Sequence, residues 1–138
     1  MVADGWVTGR TLTWGIRLDD RLIGMVGLHG VADAAAEIGY WLAPEARGAG
    51  LMSEAVELAI DHGFAPAPDG LGLQRIVWHA YTGNHASAAV ARRAGFTFEG
   101  MSRLGGVHRG RRRDQWQAGL LATDPRGDGP GWPAETRA

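Results

Sequence analysis

The 138 residues, 45% hydrophobic and 21% charged with a formal net charge of -1, suit one soluble globular domain and are too few for two cores of ordinary size. No run approaches the roughly 20 apolar residues of a membrane helix, and the opening residues lack the basic-then-apolar pattern of a signal peptide, so a cytoplasmic location is expected. Zero cysteines exclude a disulfide framework, thiolate metal sites and a cysteine nucleophile, and because all 14 basic residues are arginine, a lysine-bearing phosphate loop and Schiff-base chemistry are excluded too.

Residues 1–10 mix Gly, Asp, Arg and Thr without periodicity and read as a lead-in. Leu12, Trp14, Ile16 and Leu18 alternate with other residues, and a second run follows from Arg21 to His29. With Asp19-Asp20 as turn chemistry between them, a β-hairpin is predicted. Glu37–Leu42, rich in aliphatic and aromatic groups and closed by Pro44, predicts a third strand. Leu51, Met52, Ala55, Val56, Ala59 and Ile60, within Leu51–Phe64, form the stripe of an amphipathic helix that should end near Gly63. Arg75–Tyr81 reads as a strand, and Asn84 as the N-cap of a short alanine-rich helix that Gly95 ends. Thr97–Arg103 and Asp114–Leu121 are two further strands across a Gly- and Arg-rich turn from Gly105 to Arg113. Residues 123–138, rich in Gly, Pro and charge, read as a disordered tail. The order β-β-β-α-β-α-β-β makes residues 11–122 a single α/β (α+β) domain, a mixed sheet with crossover helices.

The junction of the third strand and the first helix, Arg47-Gly48-Ala49-Gly50-Leu51-Met52, is the most informative stretch. Two glycines let backbone approach a ligand, and the unpaired amides of a helix's first turn attract anions, so a pyrophosphate would fit there. A dinucleotide-binding fingerprint is ruled out, because its third glycine would fall at Ser53 and its motif belongs after the first strand of a parallel sheet.

Arg47-Gly48-Ala49-Gly50 between a strand and an amphipathic helix resembles the acetyl-coenzyme A signature of the GNAT superfamily of N-acetyltransferases: Arg or Gln, two residues, Gly, one residue, then Gly or Ala. Met52 departs from the last position in the manner of the RimJ/RimL-type branch. Glu37–Leu42 before the loop, Asn84-x-x-Ser87, Gly95-Phe96, Glu99-Gly100-x-x-Arg103, and Gly110 with Asp114 agree with that branch in order and spacing. The resemblance covers residues 11–122 and implies the GNAT fold and transfer of an acyl group from acetyl-coenzyme A, or another acyl-coenzyme A, to an amine. The usual first strand and helices ahead of the hairpin are expected to be missing.

The resemblance also implies roles. Arg47, Gly48, Ala49, Gly50, Leu51 and Met52 would hold the pyrophosphate. The strand edge at Trp41, Leu42 and Ala43 would pair with the pantetheine arm, which in the family runs between this strand and the one at Arg75–Tyr81, and Asn84 would bond to it. A backbone amide near Leu42 or Ala43 would stabilise the oxyanion. Where many members carry a tyrosine, Ala91 stands here, so Ser87, also a cofactor contact, becomes the candidate proton donor to the thiolate. Glu37, with Glu99 as a second choice, is the candidate general base; a carboxylate that some members place after Arg103 would fall on Gly106. Local capping explains Asn84 and Ser87 equally well.

Arg109-Gly110-Arg111-Arg112-Arg113 is the only strong charge cluster, suited to a phosphate, an acidic protein segment or RNA, or simply a solvated turn. The histidines at 29, 62, 79, 85 and 108 lack short ligand spacing, so no metal is expected. The expected partners are an amine acceptor, either a protein N-terminus or a small molecule, and a second copy forming a homodimer, with no membrane and no nucleic acid. The competing readings are a non-catalytic coenzyme A-binding sensor or assembly module and an RNA-binding domain using the arginine turn.

Overall fold

The structure, a computed structural model, describes residues 2–8, 10–48 and 50–137. The chain divides after Ile76 into two compact units. In the first unit β1 (Val2–Thr8), β2 (Thr11–Leu18), β3 (Arg21–Ala32) and β4 (Ala35–Leu42) lie side by side in chain order, each antiparallel to the next. Two turns close tightly because both central residues are left-handed, Asp19 and Asp20 at φ 51 and 64 and Asp33 and Ala34 at φ 52 and 60. That conformation matches the twist of paired strands, and Asp tolerates it better than most residues.

Helix α1 (Leu51–Phe64) packs on β3 and β4. Strand period and helix period agree on one interior: Val26, Leu28, Ile38, Val56 and Ile60 are each at most 2% exposed. Each such side chain contributes about 1.5–3 kcal/mol on leaving water. Gly63 permits close approach, since a β-carbon there would stand 3.2 Å from Leu28 Cδ1 and 3.1 Å from Ile76 Cδ1.

In the second unit the strand order is β5-β7-β6, with β5 spanning Arg75–Tyr81 (from Val77 in this unit), β6 Thr97–His108 and β7 Arg111–Leu121. Helix α2 (His85–Ala94) starts at Asn84, whose side chain accepts from the Ser87 amide, and stops at Gly95 in the left-handed conformation, φ 108. Trp78, Ala88, Ala91, Phe96 and Leu120 are its buried interior.

Three expectations are corrected. Residues 2–8 are not a lead-in but β1, paired over its length with β2, so a strand does precede the hairpin; its backbone hydrogen bonds come from pairing and leave no alternation in the sequence. The last two strands extend further than predicted, leaving only Arg109-Gly110 as their turn; β6 is interrupted between Ser102 and Gly106, which disguises its continuation. The segment after Leu121 is ordered. Trp132 donates its indole N–H to the Phe96 carbonyl at 2.8 Å and packs at a tilt with its ring centre 5.4 Å from that of Trp78 and 5.3 Å from that of Phe98, and Thr136 is 1% exposed. Its glycines serve approach rather than disorder, since a β-carbon on Gly129 would overlap the Phe96 carbonyl.

A β-carbon on Gly24 would stand 2.6 Å from the Trp41 carbonyl oxygen and 2.8 Å from Leu42 Cδ1. Gly24→Ala is therefore expected to lower unfolding free energy by about 1–3 kcal/mol through overpacking, as read by denaturant titration. Trp132→Ala is expected to cost roughly 2–4 kcal/mol in the same measurement, whereas a disordered tail would register no change.

Candidate active site

In the first unit the site is built at the end of β4. The Ala43 amide donates to the Ile23 carbonyl at 2.7 Å, and a single 3-10 turn, Pro44–Ala46, follows. Arg47 then donates from Nε back to the Leu42 carbonyl at 3.1 Å, closing the loop on itself. Gly48 and Gly50 take φ 91 and 74, and no atom lies within 4 Å of where either β-carbon would be. Left-handed backbone, rather than crowding, calls for glycine here, and both glycines face open space.

Gly50 is the N-cap of α1 and supplies no side-chain acceptor, so the amides of Leu51, Met52 and Ser53 begin the helix uncapped; the first helical bond runs from Glu54 N to the Gly50 carbonyl at 3.1 Å. The positive end of α1 thus opens beside two glycines with room around them, an arrangement suited to a diphosphate. Ala49 lies outside the described residues. Leu42 is 7% exposed, while Trp41, on the opposite face of β4, is 53% exposed.

Glu37 shares that outer face with Gly39 and Trp41 and stands opposite His29 in the β3–β4 register. The His29 ring lies over two glycines: added β-carbons would meet its Cε1 at 2.9 Å from Gly27 and its Nε2 at 3.1 Å from Gly39. One expected role narrows, because the Ala43 amide is already engaged with Ile23; of the two oxyanion donors considered, Leu42 is left.

In the second unit the predicted pair comes together at the start of α2. The Ser87 amide donates to Asn84 Oδ1 at 3.2 Å, and Ser87 Oγ accepts from the buried Trp78 indole at 3.0 Å. Capping is thus an observed role of Asn84, and the Ser87 hydroxyl satisfies an indole N–H on a side chain only 1% exposed. Missed by the sequence reading is a line of polar groups across β5, β7 and β6: His79 Nε2 lies 2.9 Å from Gln117 Oε1, and Gln117 Nε2 donates to Glu99 Oε1 at 3.0 Å. Because Gln117 Nε2 donates to Glu99, the amide is turned so that its Oε1 faces His79 Nε2 and accepts from the tautomer that carries its proton there. The partners are 18 and 38 residues apart, and no local pattern announces them.

A family model described as an acetyltransferase (GNAT) domain matches residues 2–97. The chain belongs to that family. It is 35% identical over 116 residues to YdaF of Bacillus subtilis (strain 168), named by inference as a ribosomal N-acetyltransferase, covering 83% of this chain and 61% of the relative. It is 36% identical over 84 residues to the ribosomal-protein-serine acetyltransferase of Escherichia coli (strain K12), covering 59% of this chain and 45% of that protein. Mycobacterium smegmatis RimJ, solved in complex with coenzyme A disulfide, superposes with a TM-score of 0.75 at 30% identity, covering 83% of this chain and 54% of that one. The fold is the GNAT fold and the branch is the RimJ/RimL type. This chain spans roughly half to three fifths of the length of these relatives.

Replacing Ser87 with Ala removes the acceptor of a buried indole. Stability is expected to fall by about 1–3 kcal/mol, the cost of an unsatisfied buried donor, measured by denaturant unfolding of S87A against the parent.

Proposed function

We propose that the chain is an N-acetyltransferase that moves an acetyl group from acetyl-coenzyme A to a primary amine. The observation carrying this reading is the pair of left-handed glycines, open to solvent, that leads into the uncapped positive end of α1 directly after β4. Family membership and a RimJ relative holding coenzyme A support it.

Arg47, Gly48, Gly50, Leu51 and Met52, with Ala49 from the sequence motif, would hold the pyrophosphate through backbone amides and the helix dipole. The exposed ring of Trp41 and the backbone from Leu42 to Ala43 would border the pantetheine arm. The donor supplies an activated thioester. The amine acts as nucleophile once neutral; Glu37, exposed on the outer face of β4, draws off its proton directly or through water. The Leu42 amide receives the developing oxyanion. In the second unit Asn84 is assigned to the donor's arm. There Ser87, accepting from Trp78, gives its hydroxyl proton to the departing thiolate.

The test is titration calorimetry with coenzyme A together with release of free thiol in the presence of acetyl-coenzyme A and a panel of amines. Gly50→Asp puts a carboxylate where the diphosphate would lie and should weaken binding at least roughly a hundredfold, since like charges in contact cost several kcal/mol, with the far-ultraviolet dichroism retained. Unaltered affinity would sink the pyrophosphate assignment. Binding without turnover on any amine would instead select the sensor or assembly module.

A further inference from the structure

The segment after Leu121 has no part in the acyl-transfer reading, yet it is fastened to both ends of α2. The Gly129 amide donates to the Arg92 carbonyl at 2.8 Å, in the last turn of the helix. His85, the first helical residue, sets Nε2 3.2 Å from the Glu135 carbonyl oxygen. Between these ties the Phe98 amide donates to the Pro130 carbonyl at 3.0 Å, and Trp132 lays its ring against Trp78 and Phe98. Gly127, Gly129 and Gly131 make this strap unfavourable to order, since glycine loses more freedom on folding than any other residue. What the ties secure is therefore of interest.

The strap braces the hydrogen-bond donor to Ser87. The Trp78 side chain is 1% exposed, and its Nε1–H points at Ser87 Oγ, 3.0 Å away, while Ser87 itself is half-buried. A hydroxyl carries one proton and two lone pairs; with the indole on a lone pair, the O–H bond is turned in another direction. Indole is a donor only and cannot compete for the hydroxyl proton. The same N–H meets negative charge that collects on Oγ as the proton leaves, and a bond to a charged oxygen is stronger than one to a neutral oxygen. An oxygen held in this way is a better proton donor than a serine facing water.

We propose that Trp78 and Trp132 are positioning residues for protonation of the leaving thiolate: Trp78 steadies Ser87 Oγ as it gives up its proton, and Trp132, held by the strap, keeps the Trp78 indole in line. The inference rests on the N-acetyltransferase reading and extends it from Ser87 to two residues behind it. In the step, the carbon–sulfur bond breaks with its electron pair on sulfur, and sulfur takes the Ser87 hydroxyl proton. The attacking nitrogen sheds one proton as it becomes an amide, and water carries that proton to Ser87 Oγ, restoring the hydroxyl. Trp132 lies 5.4 Å from Trp78, centre to centre and inclined by 60°, so it obstructs rotation of the buried ring. Its own indole is tied to the Phe96 carbonyl at 2.8 Å. Without that support the Trp78 N–H can swing off its acceptor, and hydrogen bonds weaken steeply with misalignment.

The experiment uses the whole chain. Thiol release from acetyl-coenzyme A is followed with the best amine of the panel, and each rate is expressed per coenzyme A site counted by calorimetry. Trp78→Phe keeps an aromatic ring and removes the N–H. It should lower kcat roughly tenfold to a hundredfold, the strength of a hydrogen bond to a charged group, with KM for acetyl-coenzyme A held within about twofold. Ser87→Ala should lower kcat at least as far, and adding Trp78→Phe to it should bring no further loss, because the indole acts through the hydroxyl. Trp132→Leu should lower kcat at least roughly threefold, and Trp132→Phe, which keeps the ring contact, should restore most of it. Should Trp78→Phe fail to fold, the pair of variants at 132 decides. Tryptophans with a purely structural role give another pattern: losses at 78 and 87 that multiply, or a lower unfolding midpoint with kcat intact. Either overturns the proposal, as does full activity in Trp78→Phe or equal kcat in the two variants at 132. In those cases the parent still turns over, and the transferase reading stands alone. A parent that binds coenzyme A and releases no thiol with any amine overturns both.

Discussion

The absence of a β-carbon at position 24 is the constraint on which the first unit turns. With backbone alone at that point, the Trp41 carbonyl and the Leu42 side chain come to rest on β3, and the Ala43 amide reaches Ile23. From there the features of the glycine loop are placed in succession. The 3-10 turn starts at Pro44, Arg47 ties back to Leu42, and two left-handed glycines aim the first turn of α1. Any residue with a side chain at position 24 would shift the end of β4 and the origin of the helix dipole with it.

The second unit is organised around an indole. Trp78 is 1% exposed, and its ring nitrogen must find an acceptor or forfeit a hydrogen bond in a dry interior. Ser87 Oγ answers it, and the Ser87 amide is taken by Asn84, so one short chain of bonds joins the middle of β5 to the first turn of α2. These two polar residues are doing structural duty whatever chemistry they also perform. A site that borrows groups already held rigid loses little order when a ligand arrives.

Legibility in the sequence followed locality. Strand β5 was readable to the residue and helix α1 nearly so, its end expected near Gly63 and found at Phe64: the helix spans fourteen residues between Gly50 and a proline-rich loop, and the hydrophobic run of the strand is bounded by charge and turn residues. The Asp19-Asp20 turn, the Asn84 cap and the Gly95 stop were equally plain, since each is set by the conformational preferences of one or two residues. What escaped was decided by distant partners. Strand β1 exists through pairing with β2, and the interruption of β6 hides its last residues behind Leu104 and Gly105. The His79–Gln117–Glu99 line draws one group from each of three strands, so only the register of a finished sheet creates it. At the candidate site the glycine loop was legible as a motif, whereas the engagement of the Ala43 amide was not.

The tilted contact of Trp132 with Trp78 has an optical consequence. Two indoles with centres 5.4 Å apart and planes inclined by 60° couple their transition dipoles, and coupled dipoles of fixed handedness give a signed pair of circular dichroism bands that neither ring has alone. One of these chromophores is bonded to the start of α2 and the other sits on the chain's final segment. The protein therefore carries a built-in spectroscopic gauge, whose signal reports without any label whether those two parts of the second unit remain in register.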